Sequence, residues 1–111
     1  MIDQKLEQEI NLLHSRICQA LGDPKRVLIL YALSEDVKCV SELVEELGLP
    51  QPTVSRHLAV LRARGLVHAE REGTAAYYSL VDPRIIEALD MLRAILASQL
   101  AASAELAQQL R

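Results

Sequence analysis

The stretch from Ser41 to Gly65, SELVEELGLPQPTVSRHLAVLRARG, leaves this chain few folds to choose from. Leu43, Val44 and Leu47 recur at helical spacing, which buries one face while Glu42, Glu45 and Glu46 stay in water. Gly48 supplies the permissive backbone that ends a helix, and Gly48, Leu49 and Pro50 make a turn. A second helix starts near Gln51, with Pro52 in its first turn, where a missing N–H is no loss. Val54, Leu58 and Leu61 form its inward stripe with Val60 beside it, Gln51, Thr53, Ser55, Arg56, Arg62 and Arg64 line the other face, and Gly65 is the stop. Two short helices about a glycine turn predict a helix-turn-helix. Gln, Thr, Ser and Arg near a helix N-terminus can reach base edges, Arg to guanine and Gln to adenine. The same pattern also describes an ordinary amphipathic helix with a solvated polar face.

The residues after Gly65 shift the balance toward nucleic acid. Leu66 to Arg71 form a short run, Glu72-Gly73 come next, and Thr74 to Leu80 form a second run containing Tyr77 and Tyr78. A glycine-containing pair between two such runs signals a β-hairpin. The tyrosines alternate in facing, so one is expected in the core and the other exposed. Helix-turn-helix plus hairpin is a winged helix.

LGDPKRVLILYAL (Leu21 to Leu33), CVSELVEELGLPQPTVSRHLAVLRARGLV (Cys39 to Val67) and REGTAAYYSL (Arg71 to Leu80) resemble the successive signatures of the ArsR/SmtB family of bacterial winged-helix repressors. The likeness spans roughly residues 15 to 95, and QPTVSRHLAVLRARGLV is its most specific part. The resemblance implies a homodimeric transcriptional repressor that leaves its operator when an inducer binds, often a metal or metalloid ion.

The flanks agree. Residues 3 to 21 read as one helix, with Asp3 as cap and Leu6, Ile10, Leu13, Ile17 and Leu21 on one stripe. Asp23-Pro24 is a cap followed by proline at the first helical position, opening a helix to about Leu33. Val27, Leu28, Leu30, Tyr31 and Leu33 make that helix apolar nearly all round, hence central, and Ser34, Glu35 and Asp36 form the loop after it. Asp82-Pro83 opens the last helix, which runs to about Gln109 with Ile85, Leu89, Leu92, Leu96 and Leu100 as its stripe. A helix this long on a small domain would leave a broad apolar strip in water unless a second subunit covered it. The expected fold is therefore mainly α with a small β-hairpin wing, in the order ααααββα, as one domain over residues 1–111. Residues 3–21 and 83–109 are the dimerisation helices, and 41–80 are the DNA-binding unit.

With 111 residues, half of them hydrophobic, the chain suits one modest core. The formal net charge is -3, yet the arginines at 56, 62, 64 and 71 against Glu70 and Glu72 make Gln51 to Tyr78 +2 and leave -5 elsewhere. Basic character is thus concentrated where the motif predicts it. The longest apolar run, Val27 to Leu33, is far short of the ~18 residues of a membrane span, and the N-terminus does not read as a signal peptide, so a cytoplasmic protein is expected. Cys18 and Cys39 are expected as thiols rather than a structural disulfide. No phosphate loop, nucleophile elbow or zinc-hydrolase helix is present, which argues against an enzyme. The rival from another class is a winged-helix module that binds protein, or a DNA-binding regulator that answers to no effector.

For the DNA face the candidates are Gln51, Thr53, Ser55, Arg56 and His57, with Arg71 near the wing tip. Gln51 and Ser55 are the expected base readers, and Arg56 and His57 equally suit phosphates. His57 also reads as a locally hydrogen-bonded helix residue, and Arg62 and Arg64 as charges complementing the helix dipole. The family's thiolate site follows a Cys-Val-Cys-Asp-Leu pattern, whereas Cys39, Val40, Ser41, Glu42 and Leu43 stand here, one thiolate short. Its zinc site on the final helix needs Asp-x-His and a later histidine, which Asp82, Pro83, Arg84 and Ile95 cannot provide. There remain Cys39 together with His14 and Cys18, the latter two at i and i+4 on one helix face. Thiolates with imidazole suit zinc, copper(I) or a trivalent arsenical, in a site shared between subunits. Equally open are a redox or sulfane-sulfur sensor built on the two thiols, and a bland reading with Cys18 as a buried small hydrophobe and Cys39 as a helix cap.

Overall fold

The computed structural model describes residues 1–110. The first helix, α1 (Gln4–Leu13), is capped as expected, with Asp3 Oδ1 accepting the Leu6 N–H at 2.8 Å. Its path continues to Gly22, but not as one α-helix. The winding widens to a π turn at His14–Cys18, closed by Gln19 N–H to the His14 carbonyl at 3.0 Å, then tightens to a 3₁₀ turn at Ala20–Gly22. The stripe explains the change. The spacing of four from Leu13 to Ile17 overshoots a full turn by about 40° in a regular helix, and the wider turn at His14–Cys18 takes up that excess. Ile17 and Leu21 thereby pack on the core, while Leu6, Ile10 and Leu13 remain exposed.

Asp23 Oδ1 accepts the Lys25 N–H at 2.8 Å and starts α2 (Pro24–Glu35), two residues longer than its apolar run. Ile29, Leu30, Ala32 and Leu33 are buried, but the helix is not apolar-covered all round, because Leu28 is 53% exposed. A two-residue strand, β1 (Lys38–Cys39), comes next. It pairs antiparallel with the later β3 (Ala75–Leu80), placing Cys39 opposite Tyr77, so the order is ααβααββα and the sheet has three strands, β1-β3-β2. Two residues are too few to show a period of two, which is why the sequence did not declare this strand.

The helix-turn-helix is α3 (Val40–Leu47) and α4 (Gln51–Ala63). Gly48 ends α3 in the left-handed conformation at φ 65°, and its N–H donates to the Val44 carbonyl at 2.9 Å. Gly65, at φ 75°, ends the second helix in the same way: its N–H donates to the Arg62 carbonyl and that of Leu66 to the Leu61 carbonyl, at 3.0 and 2.9 Å. Any side chain with a Cβ would be strained at either position. The wing is β2 (Val67–Glu72) against β3, in register from Val67 opposite Leu80 to Glu72 opposite Ala75, so Gly73 and Thr74 make the turn. Tyr77 and Tyr78 are both half-buried, and Tyr78 packs on the core. The last helix, α5 (Arg84–Gln109), begins where the Asp82 carboxylate accepts the Arg84 N–H at 2.9 Å and takes the Arg84 guanidinium at 2.7 Å. Those bonds hold the Asp82 carboxyl down at about 2. Among the described residues no helix is long and apolar enough to cross a membrane.

Ile29, Leu30, Leu43, Val54, Leu58 and Leu61 are the largest fully enclosed side chains, so the core lies where α2, α3 and α4 meet over the sheet. A polar cluster adjoins it. His57, only 8% exposed, faces the N-terminus of α2, with Nε2 3.9 Å from Asp23 Oδ2 and Nδ1 3.4 Å from Arg26 Nη1. A guanidinium only donates, so Nδ1 is the acceptor and the neutral ring carries its proton on Nε2, facing Asp23. His57 is therefore a docking residue turned away from solvent and does not belong to the exposed DNA face. Burial pushes its pKa below the ordinary 6.5; Asp23 opposes that shift, while Arg26, Arg56 and Lys25 add to it.

Two measurements check this packing. Leu58→Ala should lower unfolding free energy by about 2–5 kcal/mol, read by denaturant titration; a loss under about half a kcal/mol would mean that Leu58 is not enclosed. For His57 the unfolded chain binds the proton first, so stability falls as pH drops from 6.5 through the lowered folded value. The melting temperature should decline more steeply over that range in the unaltered chain than in His57→Gln, and parallel curves would clear the ring of responsibility.

Candidate nucleic-acid interface

The apolar stripe of α4 turns one side of the helix inward and leaves Gln51, Pro52, Arg56, Ala59, Arg62 and Ala63 exposed. Thr53 and Ser55 are half-buried at the edges of that face. Arg56 and Arg71 form no ion pair among the described residues. Guanidinium groups without an internal partner keep all their donors for a phosphate or a guanine edge. No side chain caps the N-terminus of α4, where the Thr53 and Val54 N–H groups share the Pro50 carbonyl at 3.1 Å. The dipole at that end favours an anion. Arg71 is exposed on the wing, opposite Ala76 and two residues before Gly73.

Not every arginine of the motif belongs to this face. Arg64 Nη1 donates to the Ser15 carbonyl at 2.8 Å, so its charge is held against the π turn after α1. Arg26, which the sequence pattern did not single out, donates through Nε to the Ala20 carbonyl at 2.6 Å and through Nη2 to Gln19 at 3.1 Å. Its place three residues after the capping Asp23 was the only hint. Equally hidden from the sequence was a groove of about 390 Å³ lined by Cys39, Ser41, Gln51, Thr74 and Ala76, which brings the start of α3, the start of α4 and the wing together.

The three candidate metal ligands are not gathered within one chain. His14 and Cys18 lie exposed at the two ends of the π turn, so Cys18 is not the buried hydrophobe that its position beside the stripe suggested. Cys39 is half-buried at the cap of α3, with its N–H donated to Glu42 Oε1 at 3.0 Å and its Sγ 3.1 Å from Ser41 Oγ. Both cysteines are free thiols, and no three His, Cys, Asp or Glu side chains of the described residues group as a metal centre would require. One thiol beside a hydroxyl, with the nearby Glu42 carboxylate already accepting a backbone N–H, does not fit the thiolate centre implied by the family pattern. The Asp82 carboxylate is likewise taken by Arg84.

Comparison with known proteins agrees with this geometry. Residues 23–69 match the model of the bacterial regulatory protein, arsR family. An uncharacterized HTH-type transcriptional regulator of Methanocaldococcus jannaschii is 42% identical over 79 residues, covering 70% of this chain and 89% of the relative. The HTH-type transcriptional repressor SmtB of Mycobacterium tuberculosis is 46% identical over 66 residues, 60% of this chain, which spans about half (49%) of that relative's length. The crystal structure of the transcriptional repressor BigR from Xylella fastidiosa superposes with a TM-score of 0.73 at 28% identity, covering 86% of this chain and 96% of that one. With its helix-turn-helix, wing and arginine-bearing outer face, this chain belongs to the arsR family of bacterial regulatory proteins, and is a winged-helix DNA-binding transcriptional regulator rather than an enzyme.

Proposed function

We propose that the protein acts in the cytoplasm as a homodimeric repressor, placing its two α4 helices in successive major grooves of a palindromic operator. The observation that carries this reading is the outer face of α4, where Gln51 and Arg56 are exposed, Ser55 lies at the edge, and Arg56 has no ion pair among the described residues. Gln51 and Ser55 suit base edges, and Arg56, Thr53 and Arg71 suit guanine or phosphate. Dimerisation is supported by apolar surface that one chain cannot cover. No residue of α1 is buried and only Leu89 of α5 is, while Leu6, Ile10, Leu13, Leu92, Ile95, Leu96 and Leu100 stand in water. The radius of gyration, 17.6 Å, compares with about 13 Å for a compact domain of similar length, because those helices extend from the core. A twofold axis through them would set the two α4 helices about 34 Å apart, one turn of DNA.

Release by an inducer is assigned to Cys39. The thiol lines the groove that also contains Gln51 and Thr74, so a group added to Sγ would press on the start of α4 and on the wing together. A single thiol beside a serine hydroxyl, lining that groove, suits a thiol-modifying species as the inducer.

Arg56→Ala should weaken binding to the operator by at least about 1–3 kcal/mol with the dimer intact, measured by gel shift and sedimentation; unchanged affinity and selectivity would remove this face from the interface. In the unaltered chain binding should weaken steeply with salt, whereas a protein-binding module would show no operator complex to titrate. N-ethylmaleimide, which forms a carbon–sulfur bond at the thiol, should release DNA from the unaltered protein and from Cys18→Ser but not from Cys39→Ser. Release from Cys39→Ser, or from none of the three, would exclude this thiol.

A further inference from the structure

The end of the first helical segment and the DNA-facing helix are joined by two arginines. Arg64, at the C-terminus of α4, reaches the Ser15 carbonyl in the π turn at 2.8 Å. Arg26, on α2, holds the next carbonyls, Ala20 at 2.6 Å and Gln19 at 3.1 Å, and its remaining nitrogen meets His57 of α4 at 3.4 Å. Carbonyls near the end of a helical segment carry partial negative charge and have lone pairs to spare, which makes them natural acceptors for a guanidinium even where, as at Gln19, the carbonyl also accepts the Gly22 N–H at 3.1 Å. His57 and Arg64 are seven residues apart, about two turns, so they lie on one side of α4. That side is not the outer face bearing Gln51, Ser55 and Arg56.

The apolar stripe of α4 cannot by itself set the orientation of the helix. Hydrophobic burial is non-directional, and Val54, Leu58 and Leu61 tolerate small rotations at little cost. Directional bonds at two points along the axis do restrict it. The segment they grip lies after α1 and is irregular: a π turn leads into a 3₁₀ turn, the kind of winding that marks hinges and functional sites.

We propose that Arg26 and Arg64 are positioning residues for DNA binding, which tie the rotation of α4 to the carbonyls of Ser15, Gln19 and Ala20 so that the reading helix follows the dimerisation helix. This rests on the proposed function, in which α1 forms the dimer and α4 meets DNA. Arg64 then serves the interface without touching a phosphate.

The test uses full-length protein and a labelled duplex selected from a randomised library by the unaltered chain. Arg64→Met should bind that duplex about tenfold or more weakly, with the salt slope of binding and the dimer unchanged. Arg64→Lys, which keeps a single donor nitrogen for its one bond, should recover part of the loss, whereas Arg26→Lys, which loses the fork, should not. Hydrogen exchange should quicken in α4 of Arg64→Met while the core of α2 keeps its protection. Arg64 is exposed, so its replacement leaves the fold standing even where the half-buried Arg26 variant unfolds. Unchanged affinity in Arg64→Met, or a salt slope reduced by about 0.9, the signature of a lost phosphate contact, would overturn the proposal and leave the DNA-binding reading intact. Failure of the unaltered chain to select any duplex would overturn the reading, and this proposal with it.

Discussion

Val54, Leu58 and Leu61, buried against α2 and α3, are the contact on which the rest of the structure depends. Each such side chain removed from water is worth roughly 1.5–3 kcal/mol, and nothing else in α4 commits it to the domain so strongly. Burying those three turns Arg56 outward as a matter of helical geometry, leaves Ser55 at the edge of the free face, and exposes Gln51 at the start of the helix. Polar bonds refine the result: His57 meets Arg26 and Asp23, and Arg64 meets Ser15, all on a flank of the same helix. Apolar burial chooses the face, and directional bonds choose the angle.

The same economy explains why so much of the chain is left uncovered. A single core of about a dozen buried side chains has room for the central helices and the root of the sheet, but not for the full length of α5 or for α1. Their leucines and isoleucines project into water in one copy, and the twofold assembly proposed above would both hide them and duplicate α4. In that assembly stability and recognition would share one requirement, since the surface that needs covering would also space the two copies of α4.

Effector chemistry is pared down by comparison. The thiolate pattern retains its first cysteine, and a serine hydroxyl stands where the second would be, 3.1 Å from Sγ. The Glu42 carboxylate accepts the Cys39 N–H at 3.0 Å and steadies the start of α3. Glu42 is thus engaged at the cap of α3, and the Cys39 thiol lies between the start of α4 and the wing.

Most of the fold was legible in the residues, for local reasons. Asp3, Asp23 and Asp82 mark helix starts through bonds to backbone N–H groups only two or three residues away, Pro24 marks one through its fixed φ at the first helical position, and Gly48 and Gly65 end helices through their own backbone freedom. The inward stripe of α4 and the outward Gln51 and Arg56 arise from a helical period of about 3.6. The sequence by itself therefore determined most of the helices, the wing and the arginine-bearing outer face of α4, because each depends on neighbours within about two turns. Only the tertiary structure decided the inward fate of His57, the capture of Arg64 by Ser15, the π turn, the short strand beside Tyr77 and the separation of Cys39 from Cys18 and His14. Those join residues tens of positions apart, or depend on how two elements meet, and no local periodicity records that.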